Sequence, residues 1–282
     1  MKILRTGALL ILLSVLLVIV GGSIGGANGL KIALCIAVAM NGISYFFSDK
    51  IALASSGAQP VSRDQVPRLY AVMERLAGKV NLPVPRLYVI PQAAPNAFAT
   101  GRNPRHASVA VTEGLLELMN DDELEGVIAH ELSHVRNYDI LTSSVAATIA
   151  GAVTYLAQIG MFSGGAREDR ERGGGFAALL MIILAPLAAL LLQLGLSRGR
   201  EYAADQTGAR MVGQPFGLIS ALGKLGAYNQ EIPTTALSPS TAALCIVQPL
   251  FGREGLGALL STHPPLEARI AALREMVISP IR

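Results

Sequence analysis

Charge is what this chain has least of. Only 15% of its 282 residues are charged, where soluble domains average nearer 25%. Aromatic residues make up 5%, and no stretch interleaves them with basic side chains, so nucleic acid is not an expected partner. The formal net charge is a small +3. The two cysteines, Cys35 inside an apolar run and Cys245 far beyond it, give neither a C-x-x-C metal pair nor a disulfide framework. A reducing compartment is compatible with both. No phosphate-binding G-x-x-x-x-G-K-[ST] loop is present either. The nearest approach, "GLISALGKL" at residues 217–225, has the wrong spacing and ends in Leu225. No ATP site is expected.

Apolar length fills the space that charge leaves. Hydrophobic residues make up 51% of the chain and the mean hydropathy is +0.47, which points to a membrane protein with a modest polar domain. Four apolar runs are legible, at residues 7–22, 32–47, 141–162 and 176–196. The last two hold no charged residue and reach the ~20 residues that a span requires. Pro186 is an expected kink in the fourth. The first follows Lys2 and Arg5, and a cleaved signal peptide is its alternative. The second ends in Tyr45, Phe46 and Phe47, an aromatic cluster suited to a membrane interface; a buried core helix is its alternative. Together the first two suggest a helical hairpin. Lys2 and Arg5 place the chain start weakly on the cytoplasmic side, and two spans then return it there.

Between the second and third runs the composition changes. Val66, Leu69, Val72, Met73, Leu76 and Val80 recur at helical spacing with charges opposite. "VPRLYVI" (residues 84–90) and "HASVAVT" (residues 106–112) are short, β-branched and bounded by proline and glycine, as strands are. "NAFATG" (residues 96–101) precedes a turn and can pair with the second of them. Thr112 is an expected cap for a helix at Glu113, and Asp121 or Asp122 for the next. Beyond the fourth run, residues 198–232 are expected to be mostly helical, residues 233–261 loop-rich, and residues 266–277 an amphipathic helix.

The chemistry begins at "HELSH". On a helix His130 and His134 lie four residues apart on one face, so both imidazoles can reach one ion. Glu131 is offset by about 100°, beside the ion, where it can accept a proton from water. Two histidines leave zinc short of the three protein ligands of a hydrolytic site. Glu201, in "LSRGREYAADQTGA", is the best third candidate. Asp205, one turn later, can take the free ring N–H of a ligating histidine. By itself "REYAAD" also suits an exposed ion-pair face. Two apolar runs separate His134 from Glu201, so the chain leaves and returns to one side of the membrane. With His134 about 10 Å along a continuous helix from Leu141, the metal would lie close to the bilayer. His263, in "STHPP", is a candidate oxyanion donor; a turn-capping role is its alternative, and Arg198 and Arg200 compete for the same task. "NAFAT" or "SVAVT" suits an edge strand that holds an extended peptide, or plain sheet structure.

"PNAFATGRNPRHASVAVTEGLL", "AHELSHVRNYD", "SRGREYAAD" and "STHPPLEARIAAL" together resemble the HtpX-type membrane zinc metalloproteases, relatives of the CAAX prenyl proteases. The likeness runs from about residue 68 to residue 273. It implies a mainly α membrane protein with about four transmembrane helices and a small α+β zincin-like (gluzincin) catalytic domain. The expected organisation is a transmembrane hairpin at 1–48, catalytic segments at 62–140 and 197–282, and a second hairpin at 141–196 between them. The resemblance also implies one Zn²⁺ held by His130, His134 and Glu201, with Glu131 catalytic. An ATP-independent endopeptidase of membrane-protein quality control follows as the expected activity, in the bacterial inner membrane with its catalytic part facing the cytoplasm. Its expected partners are the lipid bilayer and polypeptide substrates. Processing of prenylated C-termini and a non-catalytic zinc-binding scaffold are the alternatives.

Overall fold

The computed structural model describes residues 2–149, 198–231, 244–246 and 264–276. The fourth apolar run, most of the third, and His263 lie outside these residues.

Helix α1 (Lys2–Ser55) is a hairpin. Its one non-helical residue is Gly26, at φ 57° and ψ −141°, a left-handed conformation that side chains with a Cβ resist. Asn41 Nδ2 donates to Ser14 Oγ at 2.8 Å, although residues 27 apart would lie about 40 Å apart along a straight helix. The arms therefore fold back on each other, packed closely where Gly21 meets Gly29 and Ala33. One described helix is long and apolar enough to cross a bilayer: the second arm, Gly25–Ser55, with mean hydropathy 1.7 and only 17% of its most apolar window buried. Ile32, Val38 and Phe46 are exposed on it, the pattern of a surface that needs lipid or protein against it.

The remainder is built around a four-stranded sheet. Strands β1 (Gln59–Pro60), β2 (Arg86–Ile90), β3 (Ala97–Gly101) and β4 (Ala107–Thr112) lie in the order β1-β2-β4-β3. β2 runs parallel to β4, and β3 pairs antiparallel with β4 as the turn after Gly101 directs. Every residue of β3 and β4 is buried, because both faces of the sheet are covered. Ala97, Ala99, Val109 and Val111 face the helices α2 (Pro67–Lys79) and α4 (Asp121–Arg136). Phe98 and Ala110 face the other way, toward Ala52 and Leu53 at the end of α1 and Ala147 of helix α5 (Asp139–Ile149). Period-two alternation thus sorts side chains between two apolar layers.

Two expectations change at the helix ends. α3 (Glu113–Leu118) is capped by Thr112 as expected. α4, however, starts one residue earlier than the aspartates require: Asn120 is its cap. The Asn120 side chain accepts from the Glu123 N–H, and the Glu123 carboxylate accepts from the Asn120 N–H, each at 2.9 Å. This reciprocal box satisfies two otherwise unpaired donors, and Asp121 and Asp122 supply negative charge in the first turn instead. The continuous helix from His134 to Leu141 does not exist. α4 ends at Arg136, and Tyr138 adopts φ 58° before α5 begins at Asp139. The chain bends there because α5 packs into the protein, with Ile140, Val145, Ala146 and Ile149 buried.

Helices α6 (Arg198–Val212), α7 (Phe216–Glu231) and α8 (Leu266–Arg274) complete the fold. α6 and α7 both pack on α4, and α8 packs on α6 and α7. The α4–α6 crossing centres on Gly208, where a Cβ would sit 3.0 Å from the His130 N and 3.1 Å from the Ala129 carbonyl carbon. Gly208→Val should therefore lower stability by on the order of 1–3 kcal/mol, read as a reduced unfolding midpoint of the purified protein in detergent. An unchanged midpoint would show that the helices do not need this spacing.

Candidate metal centre

α4 is buried along most of its length, and its histidines project from the buried side: His130 has 0% exposure and Glu131 has 1%. The helix presents His130 and His134 one turn apart, their rings at 89° with centroids 4.8 Å apart. Their Nε2 atoms approach to 3.2 Å. From α6, Glu201 brings Oε2 to 3.5 Å from His130 Nε2 and Oε1 to 3.6 Å from His134 Nε2. One ligand atom from each of the three residues lies within 4.8 Å of the others. Four donors about 2.0–2.1 Å from a tetrahedral zinc are separated by about 3.3 Å, so the observed N–N and N–O separations match the edges of a ligand polyhedron. The donor set, two imidazoles and one carboxylate with a side left open, fits a divalent metal of the zinc type.

Asp205 lies one turn beyond Glu201 and is equally buried. Its Oδ1 is 2.8 Å from His130 Nδ1. A carboxylate only accepts, so Nδ1 carries a proton, and Nε2 is the ring atom that faces Glu201 and His134. Across the cluster, His134 Nδ1 is 3.8 Å from Asp139 Oδ2. The break at Tyr138 brings Asp139 back to that position.

The electrostatics follow from burial. For Glu131, loss of water pushes the carboxyl above its ordinary range, against the pull of both histidines and an N–H···O bond from Ala99. For His130, burial opposes protonation, but Asp205 and Glu201 outweigh it and raise the pKa to about 9. A proton and a metal ion compete for the same nitrogen in that field. Burial also opposes ionisation of Asp205, yet the guanidinium of Arg269 holds its pKa below the usual carboxylate value.

Arg269 was not singled out in the sequence. It has 0% exposure and grips Asp205 with both arms of its fork, Nε to Oδ2 at 2.8 Å and Nη2 to Oδ1 at 2.7 Å. A signal for it existed. In the helix Leu266–Arg274, position 269 shares the apolar face with Leu266, Ile270 and Leu273, and an arginine on such a face is a buried charge in need of a partner. His106 is exposed and hydrogen-bonded to Asn103. Arg198 and Arg200 open the first turn of α6, with Arg198 exposed.

Ala99, Ile140, Ser143 and the segment Leu244–Ile246 line the cavity around the cluster. Ile246 N–H donates to the Ala97 carbonyl at 3.0 Å, on the outer side of β3. Cys245 points into the apolar layer, and burial first, then the Glu131 carboxylate, push its thiol far above the ordinary value.

The model of peptidase family M48 matches residues 63–277. Similar proteins include the protease HtpX homolog of Syntrophobacter fumaroxidans, 51% identical over 278 residues that cover 96% of this chain and 98% of that one. The protease HtpX homolog of Aquifex aeolicus is 49% identical over 269 residues, covering 93% and 88%. Among solved structures, that of Ste24p from S. mikatae has a TM-score of 0.51 at 18% identity, covering 92% of this chain and 61% of that one. The last is a likeness of fold, to a chain of which this one spans about three-fifths.

The burial of Cys245 has a chemical readout. A water-soluble maleimide should leave Cys245 unmodified in the folded protein and label it after denaturation, as mass spectrometry of tryptic peptides would show. Rapid labelling of the native protein would contradict its placement.

Proposed function

The chain belongs to peptidase family M48, and on that premise we propose that this membrane metalloprotease is a zinc endopeptidase that cuts misfolded or damaged membrane proteins without ATP. The observation that carries the reading is the convergence of His130 Nε2, His134 Nε2 and the Glu201 carboxylate, 3.2, 3.5 and 3.6 Å apart, with Glu131 beside them.

His130, His134 and Glu201 hold the ion in this reading. Bound zinc supplies Lewis acidity, acidifying water and polarising a carbonyl. Glu131 takes the proton of the attacking water and passes it to the departing amine. The Ala99 N–H orients the carboxylate. Asp205 keeps His130 in the tautomer that presents Nε2. β3 is the edge strand nearest the cavity; Ile246 already takes the Ala97 carbonyl on its outer side, so an extended substrate would pair with β3, with little regard for sequence, by displacing that segment. His263 remains the candidate donor to the oxyanion.

The organisation proposed for the whole chain is an anchor at 1–48, catalytic segments at 62–140 and 197–282 that meet at the metal, and a second hairpin at 141–196. The catalytic segments face the cytoplasm in this proposal, at a bacterial inner membrane. The exposed apolar second arm of α1 supports the membrane setting. Unassisted by an unfolding motor, such an enzyme acts on loops and segments that are already loosened.

Two measurements test the reading. Glu131→Gln should retain one zinc per chain and lose cleavage of a membrane-protein substrate by at least ~100-fold, the range of a lost general base; retained cleavage overturns the mechanism. Metal analysis of the purified Glu201→Ala protein should show zinc lost relative to wild type. Equal zinc content would remove Glu201 from the ligand set.

A further inference from the structure

Four buried carboxylates crowd a small space around two histidines. Glu131, Glu201, Asp205 and Asp139 have exposures of 1%, 4%, 1% and 4%. Water cannot solvate these charges, so the protein or a bound cation must compensate them. Arg269 supplies one compensating charge. Its guanidinium also spends its donors in three directions: two on Asp205, one from Nη1 to the Ile246 carbonyl at 2.9 Å, with Nη1 lying 3.6 Å from Glu201 Oε2. Its Nη2 is 3.4 Å from His130 Nδ1. Both of those groups carry protons aimed at Asp205 Oδ1, so they stand side by side as co-donors to one oxygen.

We propose that Arg269 is a positioning residue for the metal centre: through Asp205 its planar fork holds the His130 imidazole with Nε2 facing the ion, an inference that rests on the metalloprotease reading above. A lysine cannot substitute. Only the fork occupies both Asp205 oxygens at once and so fixes the rotation of the carboxylate that receives the histidine proton. Arg269 offsets part of the negative charge of these carboxylates, and a bound dication would offset more of it. Without Arg269 the site would hold one more uncompensated buried negative charge, and Asp205 would be free to turn away from His130.

A purely mechanical role for Arg269, tying α8 to α6, is the competing explanation. The contacts themselves argue against it. A buried guanidinium is a poor choice for joining two helices, since apolar side chains of similar volume do that as well or better. Its contacts fall on the atoms that orient His130 rather than on helix backbone: two of the three hydrogen bonds end on Asp205, whose Oδ1 is 2.8 Å from His130 Nδ1.

Zinc affinity by chelator competition and the absorption spectrum of the Co²⁺-loaded protein decide between them, both on the full chain in detergent. Arg269→Met and Asp205→Asn should each weaken zinc binding about 10- to 100-fold. The double variant should lose no more than the more affected single one, because both act through one histidine. Arg269→Lys keeps the charge without the fork; it should recover only part of the affinity and shift the Co²⁺ bands. Wild-type affinity and an unmoved spectrum in Arg269→Lys overturn the proposal, even if Arg269→Met does not fold. So do losses that multiply in the double variant. So does a lowered unfolding midpoint of the metal-free Arg269→Met protein with metal affinity intact. Loading of the wild type with one Co²⁺ per chain and of Glu201→Ala with none keeps the underlying reading standing if Arg269 fails; no Co²⁺ in the wild type removes both.

Discussion

Two helices that come from opposite sides of a long apolar excursion touch at a residue with no side chain. At Gly208 the backbone of α6 lies against the backbone of α4 at Ala129 and His130. A helix pair normally keeps its axes 8–10 Å apart because side chains intervene. Remove the side chain at the crossing, and the residues one and two turns away come within ligand distance of each other. Asp205 and Glu201 precede Gly208 by three and seven residues, on its face of the helix, and so reach His130 and His134. The candidate metal centre is thus a by-product of backbone proximity. Neither helix carries a complete site.

The scarcity of charge gives the cluster its meaning. In a chain where 15% of residues are charged, four carboxylates and an arginine are withdrawn from water at one place. Burial raises the pKa of Glu131 while Arg269 lowers that of Asp205, so neighbouring acids of similar intrinsic strength are driven apart. That separation leaves one small cavity with one acid whose protonated form burial favours and another whose charged form Arg269 favours.

What the sequence made legible is what depends on local spacing. His130 and His134, four residues apart, and Glu201 and Asp205, likewise, each announce a helix face. The paired strands β3 and β4 follow from alternation and a turn. What stayed hidden depends on contacts between distant segments or on a single backbone angle. Tyr138 interrupts a stretch whose composition would extend the helix, because packing of α5 against the sheet prevails over propensity. Asn120 prevails over two aspartates as cap because Glu123, three residues on, completes the reciprocal pair. Arg269 was legible only as an anomaly on an apolar face; its partner lies 64 residues away, and no spacing rule connects them. β1, two residues long, is defined only by its pairing with β2.

The hairpin in α1 carries a consequence of its own. Ser14 sits opposite Asn41, and Gly21 opposite Ala33, so the register is symmetric about the bend at Gly26. At 1.5 Å per residue the first arm is about 36 Å long and the second about 43 Å, so the start of the first comes level with the last turns of the second. The opening turn of α1 therefore shares a floor with the entrance to β1, and a fluorophore attached at that turn would report on the neighbourhood of the sheet rather than on the glycine bend at the far tip.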